Sequence, residues 1–339
     1  MNDVSRIGLD VAKRVFQVHG VNAREEVVVR RSLRRGQLLA WFAKLPPCLI
    51  GIEACATAHY WSRELTALGH TTRLIPPNYV KPYVRRNKND AADAAAICEA
   101  VSRPSMRFVA TKTPSQQAVS GLHRIRQLLI KQQTAAMNCL RSLVAEFGIV
   151  AAQGMKGFNE LLAIVADPDD TRIPDLLRSS LTGLVETLRT LEAQLAKTDK
   201  AIVAWGRSDN TARRLLAIPG VGIITTTAVT ARTNPKAFAA AGHFAASLGI
   251  VPRQDGTGGK VKLGPISKRG DGYLRKLLVN GAMAVLRSKQ AQQDPWLSKL
   301  LANKPLKVAA VALANKNARI IWSMMVRDTD FRPRAVVAA

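Results

Sequence analysis

The sequence predicts an α/β domain at the N-terminus followed by mainly helical segments. Two observations support this prediction. Short apolar runs alternate with helical patterns up to about residue 110, and strand signals become rare beyond residue 115. The chain has 339 residues, enough for two or three domains with cores of their own. We therefore divide it into residues 1–110, 111–208 and 209–339.

Five apolar runs of strand length lie in the first domain. Ile7–Leu9 and Val15–Val21 flank a short polar break and predict a hairpin, and Glu26–Arg30 predicts a third strand. Cys48–Ile52 and Thr71–Ile75 predict two more.

Helical patterns separate and follow these strands. They cover Arg35–Lys44, which ends before Pro46-Pro47, then Ala54–Leu68, capped by Gly69, and finally Asn78 to about Ser102. Three early strands followed by alternating helix and strand are the element order of a ribonuclease-H-like domain.

The middle segment reads as helical, with a long helix from Leu122 to about Gly148 and a loop at 166–170. A second helix carries leucines that step by 3, 4, 3 and 4, at Leu181, Leu184, Leu188, Leu191 and Leu195. This spacing fits a coiled coil between subunits and equally a helical hairpin within one chain.

The C-terminal segment opens with a Pro-Gly-Val-Gly turn, Pro219–Gly222, before a helix. The turn resembles that of a helix–hairpin–helix, in which glycines let backbone N–H groups approach a phosphate. Gly220 and Gly222 are therefore candidate contacts to nucleic acid. A plain turn between two helices is the alternative.

A large excess of positive charge predicts a polyanionic partner. Lys and Arg number 50 against 24 Asp and Glu, a net charge of +26, which favours DNA or RNA. The glycine-rich stretch 256–272 reads as a basic loop, either solvated or in contact with phosphate. The candidate nucleic-acid contacts are Arg85, Arg86, Lys88, Arg253, Lys260, Lys262, Lys268 and Arg269.

Membrane and secreted classes are disfavoured. No apolar run approaches the roughly 20 residues of a membrane span, no Lys-rich amphipathic helix is evident, and strand and acid follow the N-terminus at once. The four cysteines form no C-x-x-C pair and read as buried free thiols. We expect a cytoplasmic, nucleoid-associated bacterial protein.

Four carboxylates stand out in this basic chain. Asp10 and Glu53 each end an apolar strand, and Asp90 and Asp93 lie three apart on one face of a predicted helix. Taken singly, each reads as a capping or exposed acid. As a set, they would meet at one sheet edge and bind Mg²⁺, as metal-assisted phosphodiester cleavage requires.

Three segments around these acids resemble the motifs of the DEDD transposases of insertion-sequence family 110: residues 7–13, 51–55 and 88–94. Residues 248–254, 258–260 and 266–271 resemble the C-terminal transposase domain of that family, most closely in its eleven-eleven branch. The resemblance covers nearly the whole chain, in the expected order and spacing.

The resemblance implies a RuvC-like ribonuclease-H fold at the N-terminus, with Asp10, Glu53, Asp90 and Asp93 holding Mg²⁺. It implies a C-terminal serine that attacks DNA and forms a covalent phosphoserine link. It also implies a homo-oligomer, a dimer or tetramer, and a non-coding bridge RNA that pairs with donor and target DNA.

One departure concerns the nucleophile. The family serine lies just before the Gly-Gly-Lys, where this chain reads Asp255-Gly256-Thr257, so Gly256 stands in its place. Three alternatives remain open. Thr257 supplies the hydroxyl, Ser267 supplies it, or the chain lacks its nucleophile.

Two other functions fit the same residues. A metal-dependent hydrolytic nuclease, such as a Holliday-junction resolvase, would use water as the nucleophile and leave no covalent adduct. A catalytically silent nucleic-acid-binding protein would follow from loss of the serine at Gly256.

Overall fold

The computed structural model describes residues 3–84 and 89–332. The chain divides into two compact units. The first contains Met1–Thr113 and Asn234–Ala239, and the second contains Pro114–Thr233 and Ala240–Ala339. The division into three domains at residues 110 and 208 stays a prediction.

A mixed five-stranded sheet forms the centre of the first unit, in the order β3-β2-β1-β4-β5. Its strands are β1 (Arg6–Asp10), β2 (Val15–Val21), β3 (Val27–Arg34), β4 (Leu49–Glu53) and β5 (Thr71–Ile75). β1 pairs antiparallel with β2 and parallel with β4, and β4 pairs parallel with β5. This mixed α/β arrangement is consistent with the ribonuclease-H-like order expected from the sequence.

The helices of this unit lie on both faces of the sheet. They are α1 (Leu38–Phe42), α2 (Ala58–Ala67), α3 (Pro77–Val80) and α4 (Asp90–Val101). α2 begins four residues later than predicted, after Thr57, whose backbone takes a left-handed conformation that interrupts a helix.

The period of two along the central strands explains the two layers. Ile7 and Leu9 on β1 point into a core shared with Phe42 and Trp61 from the first two helices. Gly8 points to the opposite face, where α4 packs.

The second unit is mainly helical. Its helices are α5 (Pro114–Ala145), α6 (Met155–Ala166), α7 (Asp175–Ser208), α8 (Asn210–Leu215), α9 (Ile223–Arg232), α10 (Ala241–Ser247), α11 (Gly272–Leu286), α12 (Gln290–Gln293), α13 (Pro295–Asn303) and α14 (Leu306–Arg327).

The leucine seam on α7 packs, in its first half, within the chain. Leu181 and Leu188 are buried in one cluster with Leu140 and Val144 of α5, and Leu184 packs against that cluster. For these leucines the helical-hairpin interpretation is therefore confirmed.

The segment read as a glycine-rich loop contains a β-hairpin. β6 (Pro252–Thr257) and β7 (Lys260–Ile266) pair antiparallel and are joined by Gly258 and Gly259, both at positive φ. Glycine favours the left-handed conformation that a two-residue hairpin turn requires, so the loop prediction was wrong over residues 256–266. We call this hairpin the basic ribbon.

In the part of the chain that the structure describes, no helix is both long enough and apolar enough to cross a membrane.

Candidate metal centre and basic ribbon

Two glycines allow α4 to lie directly against the sheet. A Cβ on Gly8 would fall 2.0 Å from the backbone oxygen of Ala94, and one on Gly51 would fall 2.8 Å from Cβ of Val101. Because the first contact is to backbone, even a methyl group at residue 8 would push the helix away. Glycine at residue 8 therefore sets the distance between β1 and α4.

The start of α4 is fixed by its cap. The Asn89 side chain accepts a hydrogen bond from the backbone N–H of Ala91 at 3.0 Å, an N-cap that leaves Asp90 and Asp93 in the first turn. Acids are favoured there because the N-terminal end of a helix carries partial positive charge.

Three of the predicted acids converge. One carboxylate oxygen from each of Asp10, Asp90 and Asp93 lies within 4.8 Å of the other two. Mg²⁺ binds oxygens at about 2.0–2.1 Å, so a small side-chain adjustment would bring all three onto one ion. Asp90 is exposed and the other two are half-buried, which leaves the cluster open to solvent.

Electrostatics distinguish Asp10 from an ordinary surface acid. Burial, together with the charges of Asp93, Asp90 and Glu53, raises its pKa to about 6. Carboxylates that repel one another in this way form a strong site for a divalent cation, because a cation relieves the repulsion.

Glu53 lies on the strand beside Asp10. The parallel register aligns Leu9 with Ile52, so Asp10 and Glu53 follow at the same edge of the sheet. Its charge acts on Asp10, although it is outside the three-acid cluster. The four acids are thus brought to one region, and their role as metal ligands stays a prediction.

His59, which follows the second acidic motif, accepts a hydrogen bond within the first unit. Its Nδ1 accepts a hydrogen bond from the backbone N–H of Lys112 at 3.2 Å. This bond ties α2 to the segment that leaves the first unit.

The residues of the basic ribbon alternate between two faces. Directly opposed residues share a face, and the register pairs Thr257 with Lys260 and Asp255 with Lys262. Thr257 therefore lies on a polar face with Asp255 and two lysines. Gly256 pairs with Val261 on the other face, where an added Cβ would lie 3.8 Å from a methyl of Val261 without a clash.

The structure describes five of the eight basic residues that the sequence suggested as nucleic-acid contacts. Arg253, Lys260 and Lys262 on the ribbon, and Lys268 and Arg269 just after it, are all exposed. Arg85, Arg86 and Lys88 lie outside the described residues. Their role in binding nucleic acid stays a prediction.

The Pro-Gly-Val-Gly turn packs inward at its first glycine. A Cβ on Gly220 would lie 2.8 Å from the backbone oxygen of Gly281 on α11, and φ of Gly220 is +80°. The buried Asn317 donates to the carbonyl of Pro219 at 2.9 Å. This favours the interhelical-turn interpretation for Gly220, whereas Gly222 is exposed at the start of α9.

A buried polar network in the second unit had no clear sequence signal. The two ring nitrogens of His123 lie 3.0 Å from the hydroxyl of Tyr273 and 3.1 Å from that of Thr227. The Arg232 side chain lies over the Tyr273 ring and pairs with Asp271, the N-cap of α11. The network joins α5, α9 and α11.

Two models of transposase families match separate parts of the chain. A family model named DEDD_Tnp_IS110 and described as a transposase matches residues 7–149. A second, described as the transposase IS116/IS110/IS902 family, matches residues 212–297.

Three relatives align along nearly their full length. A Pseudomonas aeruginosa protein named as a "Probable family 20 transposase" is 50% identical over 336 residues, covering 98% of this chain and 99% of its own. The transposase for IS1328 of Yersinia enterocolitica is 38% identical, covering 98% and 99%. The transposase for IS1111A of Coxiella burnetii is also 38% identical, covering 98% and 92%.

Proposed function

Since this chain belongs to the IS110 family of DNA transposases, we propose that it cuts and rejoins DNA with a metal-binding RuvC-like site and a hydroxyl from the basic ribbon. A bridge RNA selects the donor and target DNA. The convergence of Asp10, Asp90 and Asp93 carries this proposal.

The acids are the residues that hold Mg²⁺ in this proposal. Asp10, Asp90 and Asp93 supply one oxygen each, and Glu53 supplies a fourth from the neighbouring strand. Hard oxygen ligands suit Mg²⁺. When bound, the cation neutralises charge on the scissile phosphate and on the oxygen that leaves it.

Thr257 is the hydroxyl that we assign to the cleavage step. Its oxygen forms a bond to phosphorus while one bridging phosphorus–oxygen ester bond breaks. The leaving strand oxygen becomes a hydroxyl by taking up a proton, and the threonine proton is released to water. One ester replaces another, so rejoining is the same reaction in reverse.

The contacts of the two candidate hydroxyls favour Thr257 over Ser267. Thr257 is exposed on a face with Lys260 and Lys262, whose charges would hold a phosphate beside its hydroxyl. Ser267 lies at the base of the ribbon, where its backbone N–H donates to Val251 at 2.8 Å and its hydroxyl faces the N–H of Arg269 at 3.4 Å. Gly256 has no hydroxyl.

The test is covalent capture on DNA. The protein is incubated with cognate RNA, element-end DNA and Mg²⁺, and a denaturing gel reports any protein–DNA adduct. We expect an adduct for the wild type and for Thr257→Ser, and none for Thr257→Ala. Thr190→Ala, an exposed threonine whose hydroxyl donates within α7, is the matched control and should retain the adduct.

Other outcomes would assign another function. Cleavage without an adduct would identify a hydrolytic nuclease that uses water. An adduct that survives in Thr257→Ala but is lost in Ser267→Ala would move the nucleophile to Ser267. Recombination that is absent in the wild type and appears in Gly256→Ser would identify this chain as a nucleic-acid-binding protein that has lost its nucleophile.

RNA guidance and oligomer formation are the remaining parts of the proposal. Aromatic residues make up 5% of the chain, so the excess of Lys and Arg suits backbone binding better than base stacking. Base pairing by a guide would then supply sequence choice. Co-purification of an element-encoded RNA, and a dimer or tetramer by light scattering, would support both parts.

A further inference from the structure

The segment after α14 folds back onto α8 and holds one arginine. Arg214 donates from Nε to the Asp330 carboxylate at 2.8 Å, and its terminal nitrogens reach the carboxylate of Asp328 and the carbonyl of Thr329. We call residues 328–330 the acidic tail. We propose that Arg214 is a contact for the DNA phosphate backbone and that the acidic tail occupies it until DNA displaces the tail.

The acidic tail presents the acceptors that a phosphodiester would present. Three oxygens surround one guanidinium, two of them from carboxylates. A guanidinium is a planar fork of donors, and it binds carboxylate and phosphate oxygens in the same paired geometry. A phosphate group therefore matches the donors that the tail now fills.

Solvent exposure makes the tail easy to displace. The side chains of Asp328 and Asp330 are 88% and 80% exposed, whereas that of Arg214 is 21% exposed. Exposed ion pairs contribute little to stability, so exchanging these acids for a phosphate costs little. By contrast, Asp271, which pairs with Arg232, is 26% exposed and also caps α11.

The location of Arg214 suits a DNA contact. It lies on α8, and its neighbour Arg213 is exposed. Two consecutive arginines form a local positive site, and the two acids of the tail cancel that charge. In a chain with a net charge of +26, the contact between the acidic tail and Arg214 would suppress binding to non-cognate DNA.

This inference rests on the DNA binding of the proposed function and not on its cleavage step. It is therefore tested by binding alone, on the full chain without Mg²⁺. A failure of the covalent-capture experiment would leave it unaffected.

The experiment measures affinity for a short mixed-sequence DNA duplex by fluorescence anisotropy across a salt series. Asp328→Asn/Asp330→Asn should bind several-fold more tightly than the wild type. Arg214→Ala should bind more weakly, and its slope of log affinity against log salt should fall by about 0.9, the share of one phosphate contact. In the Arg214→Ala background, Asp328→Asn/Asp330→Asn should raise the affinity for DNA no more than the loss of two acids elsewhere does.

The charge control is Glu186→Gln/Glu192→Gln, two exposed acids on α7 whose loss changes the net charge equally. The proposal is overturned if the tail variant gains no more affinity than this control, or if Arg214→Ala leaves the salt slope unchanged. A gain confined to duplex RNA, measured in a parallel arm, would overturn the assignment to DNA.

Discussion

At the scale of single residues, Asp10 has a raised pKa because it is partly buried and lies near other acids. Its pKa is raised from the ordinary 3.8 to about 6, so between these values the folded state binds more protons than the unfolded state. Stability therefore falls as pH rises from about 4 through 6, and the full penalty is present at pH 8. The fold retains this repulsion at the place where a cation would remove it.

We predict that Asp10→Asn is more stable than the wild type at pH 8 in EDTA and that the difference disappears near pH 4. Mg²⁺ should raise the melting temperature of the wild type and have little effect on the variant. Cleavage should fall by more than about 100-fold, which is the most that the loss of an outer-shell partner of a metal typically costs. DNA affinity should be retained. Thermal unfolding at both pH values and a gel-shift assay check this, and equal loss of binding and cleavage would identify Asp10 as structural.

His123 should make the second unit sensitive to acid. It is buried, and burial, with the charges of Arg232 and Arg126, lowers its pKa to about 4. In the unfolded chain it would take up a proton near pH 6.5, so stability falls as pH drops from about 6.5 to 4, by up to about 3 kcal/mol.

His123→Gln should flatten this part of the pH profile, because glutamine does not titrate. The same substitution at the exposed His243 is the control for replacing an imidazole with an amide. Urea unfolding between pH 4 and pH 7 measures both. A profile that keeps its slope in His123→Gln would show that other groups cause the acid sensitivity.

At the scale of elements, the close approach of α4 to β1 depends on Gly8. Gly8→Ala would place a methyl group within 2.0 Å of the backbone oxygen of Ala94, so the helix must shift or the strand must bend. We expect a loss of about 1–3 kcal/mol from overpacking. The free energy of Mg²⁺ binding should fall by more than the free energy of unfolding does, because α4 carries Asp90 and Asp93.

Gly121→Ala is the matched control for this change. Gly121 lies inside α5, and an added Cβ would point into open space without new contacts, so alanine should stabilise the helix slightly. Chemical denaturation and Mg²⁺ titration calorimetry on both variants test the argument. Normal Mg²⁺ affinity in folded Gly8→Ala would show that the spacing of helix and strand does not control the site.

The elements of the first unit were largely predictable because its central strands are buried. Four apolar runs fix β1, β2, β4 and β5 to within about a residue. β3 runs on to Arg34, beyond the predicted Arg30, because this edge strand buries only Val29 and Leu33 and needs few apolar residues.

The basic ribbon was not predictable from hydrophobic patterning. Every residue of β6 is exposed, so this strand has no core-facing side and no apolar alternation to reveal it. The signal that exists is the Gly258-Gly259 pair, a two-residue hairpin turn. For the acids, the sequence predicted that they would meet at one edge of the sheet, and the structure groups Asp10 with Asp90 and Asp93. The close contact of Gly8 with α4, which allows this approach, is a tertiary feature that the sequence did not reveal.

At the scale of the whole molecule, the acids and the ribbon hydroxyl belong to different compact units of one chain. In a homo-oligomer, each catalytic site could then combine the acids of one subunit with the hydroxyl of another. Two variants that the proposed function expects to be inactive separate the two contributions. Asp93→Asn removes an acid and keeps Thr257, whereas Thr257→Ala removes the hydroxyl and keeps the acids.

We predict that mixing these two variants restores strand cleavage. With random exchange into dimers, half of the dimers are mixed, and one of the two sites in each mixed dimer is intact. Activity should therefore return to about a quarter of the wild-type level, given equal subunits in a symmetric dimer. Each variant alone should stay inactive at the same total concentration. Mass photometry of size-tagged subunits confirms the exchange, and mixed dimers that remain inactive would show that each site is built from a single subunit.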